Sequence, residues 1–409
     1  PAIAPAAEAL ARRVLAAVRR EGDRAVARYT QRFNGARLSP QQFRVGAEEI
    51  AEARARISPR VRRAIADVLR RVRRFARAGI RPSWEIRSPR GGRLGERWVP
   101  LGRVGVYVPG GAAPLASTAL MTIPLARIAG VPEVVATTPC RADGSVDPHV
   151  LAAIAEAGAT EIYRLGGIQA IGALAYGTET IRRVDKIVGP GGPYVTAAKR
   201  AVYGEVALDM VAGPSEVAVL ADDSARPDCV AADLLSQAEH GTGHERTLLV
   251  TTSMALAEKV RSELAHQGRQ LRRWLKIRQV LGRRSLIVVV PNLAAGCEVI
   301  NQFAPEHLEI WTAQPRRWLR HIRCAGAVFL GPWTPECAGD FVAGPSHVLP
   351  TGGTARFFSG LTADDFRRRM SVLELTRDDL EEMNPSIETF ASIEELPGHA
   401  RSASLRLAH

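Results

Sequence analysis

Val104-Gly105-Val106-Tyr107-Val108 is a short apolar run that ends in Pro109-Gly110-Gly111. A run of this kind, bounded by turn residues, reads as a buried strand. A helix of small residues follows and stops near Gly130. Residues 134–136 then read as a strand and 150–157 as a helix. Residues 161–165 form the next strand, Gly166-Gly167 its turn and 170–176 its helix. Residues 184–188 give a fourth strand, entering Gly189-Pro190-Gly191-Gly192. Strand, turn and helix in repetition predict a parallel sheet with crossover helices.

A second series lies downstream, with strands predicted at 217–220, 247–251, 285–290 and 327–330 and a helix at 255–267. The chain is therefore expected to be α/β, with two parallel-sheet units of similar construction. Upstream, residues 1–90 read as helices. Ser58-Pro59 is an N-cap with proline at the first helical position, and Val61, Ile65, Val68, Leu69, Val72 and Phe75 mark one buried face. Residues 82–100 read as extended or a hairpin leading inward. Beyond Leu361 short helices are expected, ending in a charged tail at 394–406.

Composition limits the class. The 409 residues exceed the usual domain two to three times, so at least two folded units are expected. No window reaches 18 apolar residues without a charge, so no transmembrane helix is expected. Residues 1–20 carry Glu8 among arginines, with Leu10, Val14 and Val18 four apart, which is a helix face and not a targeting segment. The net charge is +13, but of 55 basic residues four are lysine. The arginines are scattered and lack the interleaved aromatics that stack bases, so nucleic acid is not expected as a partner. Cys140, Cys229, Cys297, Cys324 and Cys337 form no CxxC pair; they read as core residues of a protein in a reducing cytoplasm.

Four clusters could carry chemistry. In Ser236-Gln237-Ala238-Glu239-His240, Gln237 and His240 are three apart and share a helix face, so both could reach one metal. In Ala304-Pro305-Glu306-His307-Leu308-Glu309, a carboxylate beside a histidine offers a general acid/base pair. The stretch 334–347 joins Asp340 and His347 across a Gly/Pro-rich loop. Glu394 and His399 lie in the last turns. Each pattern also fits an ordinary solvated surface. Taken by residue type, Gln237, His240, Asp340 and a further histidine would make a mixed N/O site, which zinc suits best. No GxGxxG follows any strand, so a conventional dinucleotide loop is absent. The glycine turns at 109–111 and 189–192 could still bring backbone N–H groups to a pyrophosphate, at the carboxyl ends of strands.

Together these stretches resemble the histidinol dehydrogenase family. The resemblance rests on residues 103–111, 166–170, 175–180, 184–191, 212–216, 236–240, 304–310 and 339–351, which run in the family's order over roughly residues 10 to 406. It implies two incomplete Rossmann-like units, small helical terminal segments and an intertwined homodimer. The implied division is 1–24, packing with 361–386; then 25–106 with 217–360, bearing metal and catalytic residues; 107–216, binding NAD; and 387–409, reaching the partner subunit. The implied activity is a cytoplasmic, NAD-dependent, zinc-binding oxidation of L-histidinol to L-histidine through histidinaldehyde, the close of histidine biosynthesis. It consumes two NAD⁺ and uses one Zn²⁺ per site.

The same resemblance implies roles. Glu306 and His307 are the acid/base pair. Gln237, His240, Asp340 and His399 are the zinc ligands. Ser215, His347 and Glu394, with the zinc ligands and His307, contact substrate. Tyr107, Gln169 and Gly192 contact NAD. The chain departs from the family's usual residues at Gly192, where asparagine is usual, and at Leu115-Ala116, Gly241 and Ser346. The alternative is a paralogous dehydrogenase acting on another small alcohol, such as a sulfonated diol.

Overall fold

Arg103–Tyr107 is buried at every one of its positions, as a strand covered on both faces must be. The computed structural model around it describes residues 4–110, 114–211, 213–240 and 242–408. Gly111, Ala212 and Gly241, which the sequence singled out, lie outside these residues. Four helices come first: α1 (Pro5–Glu21), α2 (Asp23–Asn34), α3 (Ala47–Arg56) and α4 (Pro59–Gly79). Ser58 Oγ accepts from Val61 N at 3.3 Å, the expected cap of α4. Ile65, Val68, Leu69, Val72 and Ala76 line its buried face. Phe75 does not; it is exposed, because Ala76 is the residue that continues the i, i+4 stripe from Val72.

A hairpin of β1 (Trp84–Arg87) and β2 (Arg93–Pro100) follows. The sequence expected it to lead inward, yet β1 is exposed throughout. The first α/β series is β3 (Arg103–Tyr107), α5 (Ala116–Ile128), β4 (Glu133–Thr137), α6 (Pro148–Ala157), β5 (Glu161–Tyr163), α7 (Gly167–Tyr176), β6 (Lys186–Val188), α8 (Pro193–Val202) and β7 (Ala207–Leu208). Its parallel sheet has the order β5-β4-β3-β6-β7. Helices α1, α2, α7 and α8 fill one face, with Val14, Val18, Ile171, Leu174 and Ile187 in a continuous core.

The second series is β8 (Glu216–Ala221), α9 (Pro227–Ala238), β9 (Arg246–Thr251), α10 (Met254–Gly268), α11 (Trp274–Arg283), β10 (Ser285–Val289), α12 (Leu293–Phe303), β11 (His307–Trp311), α13 (Pro315–Leu319), β12 (Ala327–Leu330) and α14 (Glu336–Phe341). The order is again parallel, β10-β9-β8-β11-β12. Val219, Leu234, Leu249 and Val260 pack on one face and Leu220, Val250, Ile300 and Ile310 on the other. In both sheets the order in which the chain adds strands therefore reverses once, between β3 and β6 and between β8 and β11. That is the two-unit α/β architecture the sequence predicted.

The chain ends in β13 (Arg367–Glu374), α15 (Arg377–Ile393) and α16 (Pro397–Leu407). The expectation of short helices here fails twice. β13 pairs antiparallel with β2, and α15 has 17 residues, opened by a capping box between Thr376 and Asp379. The chain forms two compact units, Pro1–Gly79 with Gly102–Phe366, and Ile80–Leu101 with Arg367–His409. Helix α1 packs on α7 and α8. Of the cysteines, Cys140 and Cys297 are buried as expected, whereas Cys337 is exposed. Among the described residues no helix is long and apolar enough to cross a membrane.

Candidate active site

The amino ends of β8 and β11 gather most of the singled-out chemistry. Helix α12 closes at Ala304, which adopts the left-handed conformation (φ 51°) and donates back to Ile300 O at 2.8 Å. A non-glycine residue there costs about 1 kcal/mol, and Pro305 forbids the helix from continuing. The turn delivers Glu306 and His307 to the start of β11 as buried residues, where an exposed turn was the competing expectation.

Glu306 Oε2 accepts from Glu216 N at 2.9 Å. His307 Nδ1 lies 3.1 Å from Glu216 O, and its Nε2 lies 3.3 Å from Asp340 Oδ1 and 3.8 Å from Glu336 Oε1. Burial raises the Glu306 carboxyl to about 7. Burial alone would lower His307, but the carboxylates of Glu306, Asp340 and Glu336 outweigh it and raise the imidazole to about 10.

Asp340 was expected on an irregular loop and instead sits on α14. Pro335 caps that helix and Glu336 opens it, so Glu336 and Asp340, four apart, share a face. On α9, Gln237 is fully buried and its Nε2 lies 3.3 Å from His240 Nδ1. His240 falls just past the helix end, and its Nε2 lies 3.6 Å from Asp340 Oδ2. Burial opposes charge on both partners. It is outweighed by their mutual attraction, so His240 rises to about 9 and Asp340 is held far below the usual carboxylate range. His347 Nδ1 lies 2.9 Å from Asp340 O, and burial lowers its affinity for a proton.

Gln237, His240, Asp340, Glu306, His307 and His347 are thus brought together. Ser215 adjoins them, half-buried before β8. Glu394 ends α15, and His399 lies in the first turn of α16, in the other compact unit.

Three carboxylates escaped the sequence reading. Glu336 is buried, accepts from Ser236 Oγ at 2.9 Å, and is raised by burial to about 7. Glu309, two residues after His307 on the same strand face, accepts from Glu336 N at 2.8 Å. Glu216 holds the main-chain contacts given above. The i, i+4 spacing of Glu336 and Asp340 was the available signal for the first. Nothing in the local pattern marks the other two.

The donor chemistry fits a metal ion. His307, Glu336 and Asp340 offer ligand atoms all within 4.8 Å of one another. Gln237 Oε1, His307 Nε2, Glu336 Oε1 and His347 Nε2 are buried with no hydrogen-bond partner. Buried polar atoms of that kind are ordinarily satisfied, and a cation or polar ligand would satisfy them here.

The residues expected to contact NAD lie at the carboxyl edge of the first sheet. Tyr107 ends β3, and its hydroxyl accepts from Gly167 N at 3.1 Å. Gln169 is buried on α7 with Oε1 unpartnered. Gly192 caps α8, and a Cβ built there would meet nothing within 4 Å, so the missing asparagine leaves an open, unstrained position. Gly189 has φ +111°, and a Cβ there would lie 2.2 Å from Tyr107 O; only glycine lets these two strand ends approach. The fit to a dinucleotide is therefore in backbone and small residues, at the switch point where open sheets take ligands.

The family model described as histidinol dehydrogenase matches residues 3–407. The histidinol dehydrogenase of Moorella thermoacetica is 47% identical over 395 residues, covering 97% of this chain and 93% of that relative. That of Geobacillus kaustophilus is 46% identical, covering 96% and 92%. The crystal structure of histidinol dehydrogenase from Elizabethkingia anophelis superposes with a TM-score of 0.95 at 37% identity, covering 98% of this chain and 92% of that one. A solved probable aldehyde dehydrogenase from Listeria monocytogenes, at 13% identity and TM-score 0.50, shares the fold alone. The chain belongs to the histidinol dehydrogenase family.

Proposed function

We propose that this chain oxidises L-histidinol to L-histidine through bound histidinaldehyde, with two NAD⁺ and one Zn²⁺ per site. The observation that carries the reading is the pairing of Glu306 and His307. Both are buried at the start of β11, beside unpartnered donor atoms of Gln237, Glu336 and His347. Gln237, His240 and Asp340, with His399, would hold the zinc, and Glu336 stands close enough to join them. When bound, zinc would supply positive charge that relieves the crowded carboxylates and holds the imidazole and amine of the substrate. NAD⁺, when bound near Tyr107, Gln169 and Gly192, would accept the hydrides.

The chain's own residues do the rest. With that positive charge opposing the carboxylates that raise His307, the neutral ring would take the hydroxyl proton at Nε2, while its Nδ1–H stays on the Glu216 carbonyl. His347 offers a neutral, buried imidazole for a substrate hydrogen bond. The aldehyde adds water, and Glu306, poised near neutrality, takes the water proton. Loss of a second hydride gives the acid. Ser215, Glu394 and the zinc-ligand side chains complete the substrate contacts. The protein mainly positions its reactants.

The homodimer, with Glu394 and His399 reaching the partner subunit, belongs to the same proposal. So do the cytoplasmic setting, a 107–216 unit for NAD and a unit formed by 25–106 and 217–360 for the chemistry. The decisive assay is NADH formation from L-histidinol, with and without a chelator, and with a sulfonated diol in parallel. Turnover of the diol and not of histidinol would overturn the reading.

A further inference from the structure

Glu216 opens β8 and touches both members of the acid/base pair through its main chain. Its N–H donates to Glu306 Oε2 at 2.9 Å, and its carbonyl lies 3.1 Å from His307 Nδ1. A carbonyl has no proton to give, so Nδ1 carries the hydrogen, and whenever the ring is neutral Nε2 is the lone-pair nitrogen.

The ladder alone does not hold this main chain. On the β11 side pairing begins at Val217, opposite His307, so Glu216 stands one residue outside it. The β9 side pairs Glu216 with Arg246; toward β11 the further anchor is its side chain, which is 2% exposed and makes no hydrogen bond to Glu306 or His307. Glu216 Oε2 accepts from Gly352 N at 3.0 Å, and Oε1 lies 3.6 Å from Arg246 Nη1. Gly352 follows the segment that carries His347 and Thr351, and Thr351 Oγ1 accepts from Gly213 N just upstream of β8.

We propose that Glu216 is a positioning residue: by fastening the first residue of β8 to Gly352 and Arg246, its side chain orients Glu306 and fixes the hydrogen of His307 on Nδ1. The proposal rests on reading Glu306 and His307 as the acid/base pair.

The test compares Glu216→Gln, which keeps an oxygen acceptor for Gly352 N, with Glu216→Val, which keeps strand bulk and loses it. In full-length protein labelled with ¹⁵N-histidine, the Nδ1–H proton of His307, assigned by its loss in His307→Asn, should exchange slowly. It should stay protected in Glu216→Gln and exchange at least tenfold faster in Glu216→Val. The kcat for NADH formation from L-histidinol should fall about 10²-fold in Glu216→Val, the scale of a misplaced catalytic group. KM for histidinol should change little, and Glu216→Gln should recover most of the rate. If Glu216→Val fails to fold, Glu216→Ser, whose side chain is too short to reach Gly352, decides in the same way. A protected proton with full kcat in the folded variant overturns the proposal. If the wild type forms no NADH from histidinol, the functional reading fails, and the proton exchange still decides the role of Glu216.

Discussion

His307 Nε2 lies 3.3 Å from Asp340 Oδ1, and nothing completes its hydrogen bonding. Asp340 also faces His240 at 3.6 Å, so one carboxylate serves two imidazoles. Asp340→Asn and His240→Asn should each weaken zinc binding at least about 10²-fold, the upper end of what even outer-shell changes cost. Equilibrium dialysis with elemental analysis measures it. Undiminished zinc in either variant would remove that residue from the coordination set.

The two half-reactions should separate Glu306 from His307. Water attack is needed only on the aldehyde, whereas the alcohol proton must leave first. Glu306→Gln should therefore slow oxidation of histidinaldehyde far more than that of histidinol, and His307→Asn should slow both. Removing a general base costs about 10²–10⁴ in rate. NADH formation measured from each substrate decides between them. Equal losses on both for Glu306→Gln would make it an orienting group.

Complementation tests whether the tail works in trans. Mixing inactive His399→Ala chains with inactive His307→Ala chains should restore partial activity, because some mixed dimers hold one intact site. The signal is the specific activity after proven subunit exchange. Persistent inactivity would place both residues in a site formed within one chain.

Acid should expose the network around Arg103. Glu161 is held at about 2, first by its hydrogen bonds from Arg103 and against the cost of burial, with Tyr163 adding a hydrogen bond at 2.7 Å. A depressed carboxyl stabilises the fold fully above its unfolded value near 4.5, and the contribution disappears as pH falls through about 2. Discounted for partial solvent screening, it amounts to about 1–2 kcal/mol at pH 7. Urea midpoints of Glu161→Gln and wild type should differ at pH 7 and converge between about pH 4 and pH 2. A difference that is constant with pH would assign the effect to packing.

Lys199 and Asp209 form a buried ion pair that also holds the glycine turn. Lys199 Nζ donates to Gly189 O at 2.8 Å, and Asp209 accepts from Gly189 N at 2.7 Å. Lys199→Met leaves a buried carboxylate unpaired and should cost about 3–5 kcal/mol in urea unfolding. Where the variant still folds, KM for NAD⁺ should rise. Unchanged stability and KM together would detach this pair from the turn.

The α/β series was legible because β3, β4 and β8 are covered on both faces and so read as unbroken apolar runs. β13 was not. Its sequence, Arg367-Arg368-Arg369-Met370-Ser371-Val372-Leu373-Glu374, is almost wholly exposed, and no alternation marks a strand that buries neither face. The helix bearing Asp340 was hidden by Gly339 and by the prolines around it. Glu216, Glu309 and Glu336 were missed because a carboxylate in a sequence predicts surface. Their carboxylates are held by partners 136, 27 and 100 residues away.

The two sheets share one strand order, yet they are used at opposite poles. The first keeps its glycine turns at the carboxyl ends of β3 and β6, while Glu216, Glu306 and His307 stand at the amino ends of β8 and β11. That separation makes the catalyst modular for an engineer. If NAD⁺ binds at the first rim, as proposed, loops following β3, β4 and β6 could be exchanged to alter which nicotinamide carrier is accepted, with the strands that carry Glu216, Glu306 and His307 left unaltered.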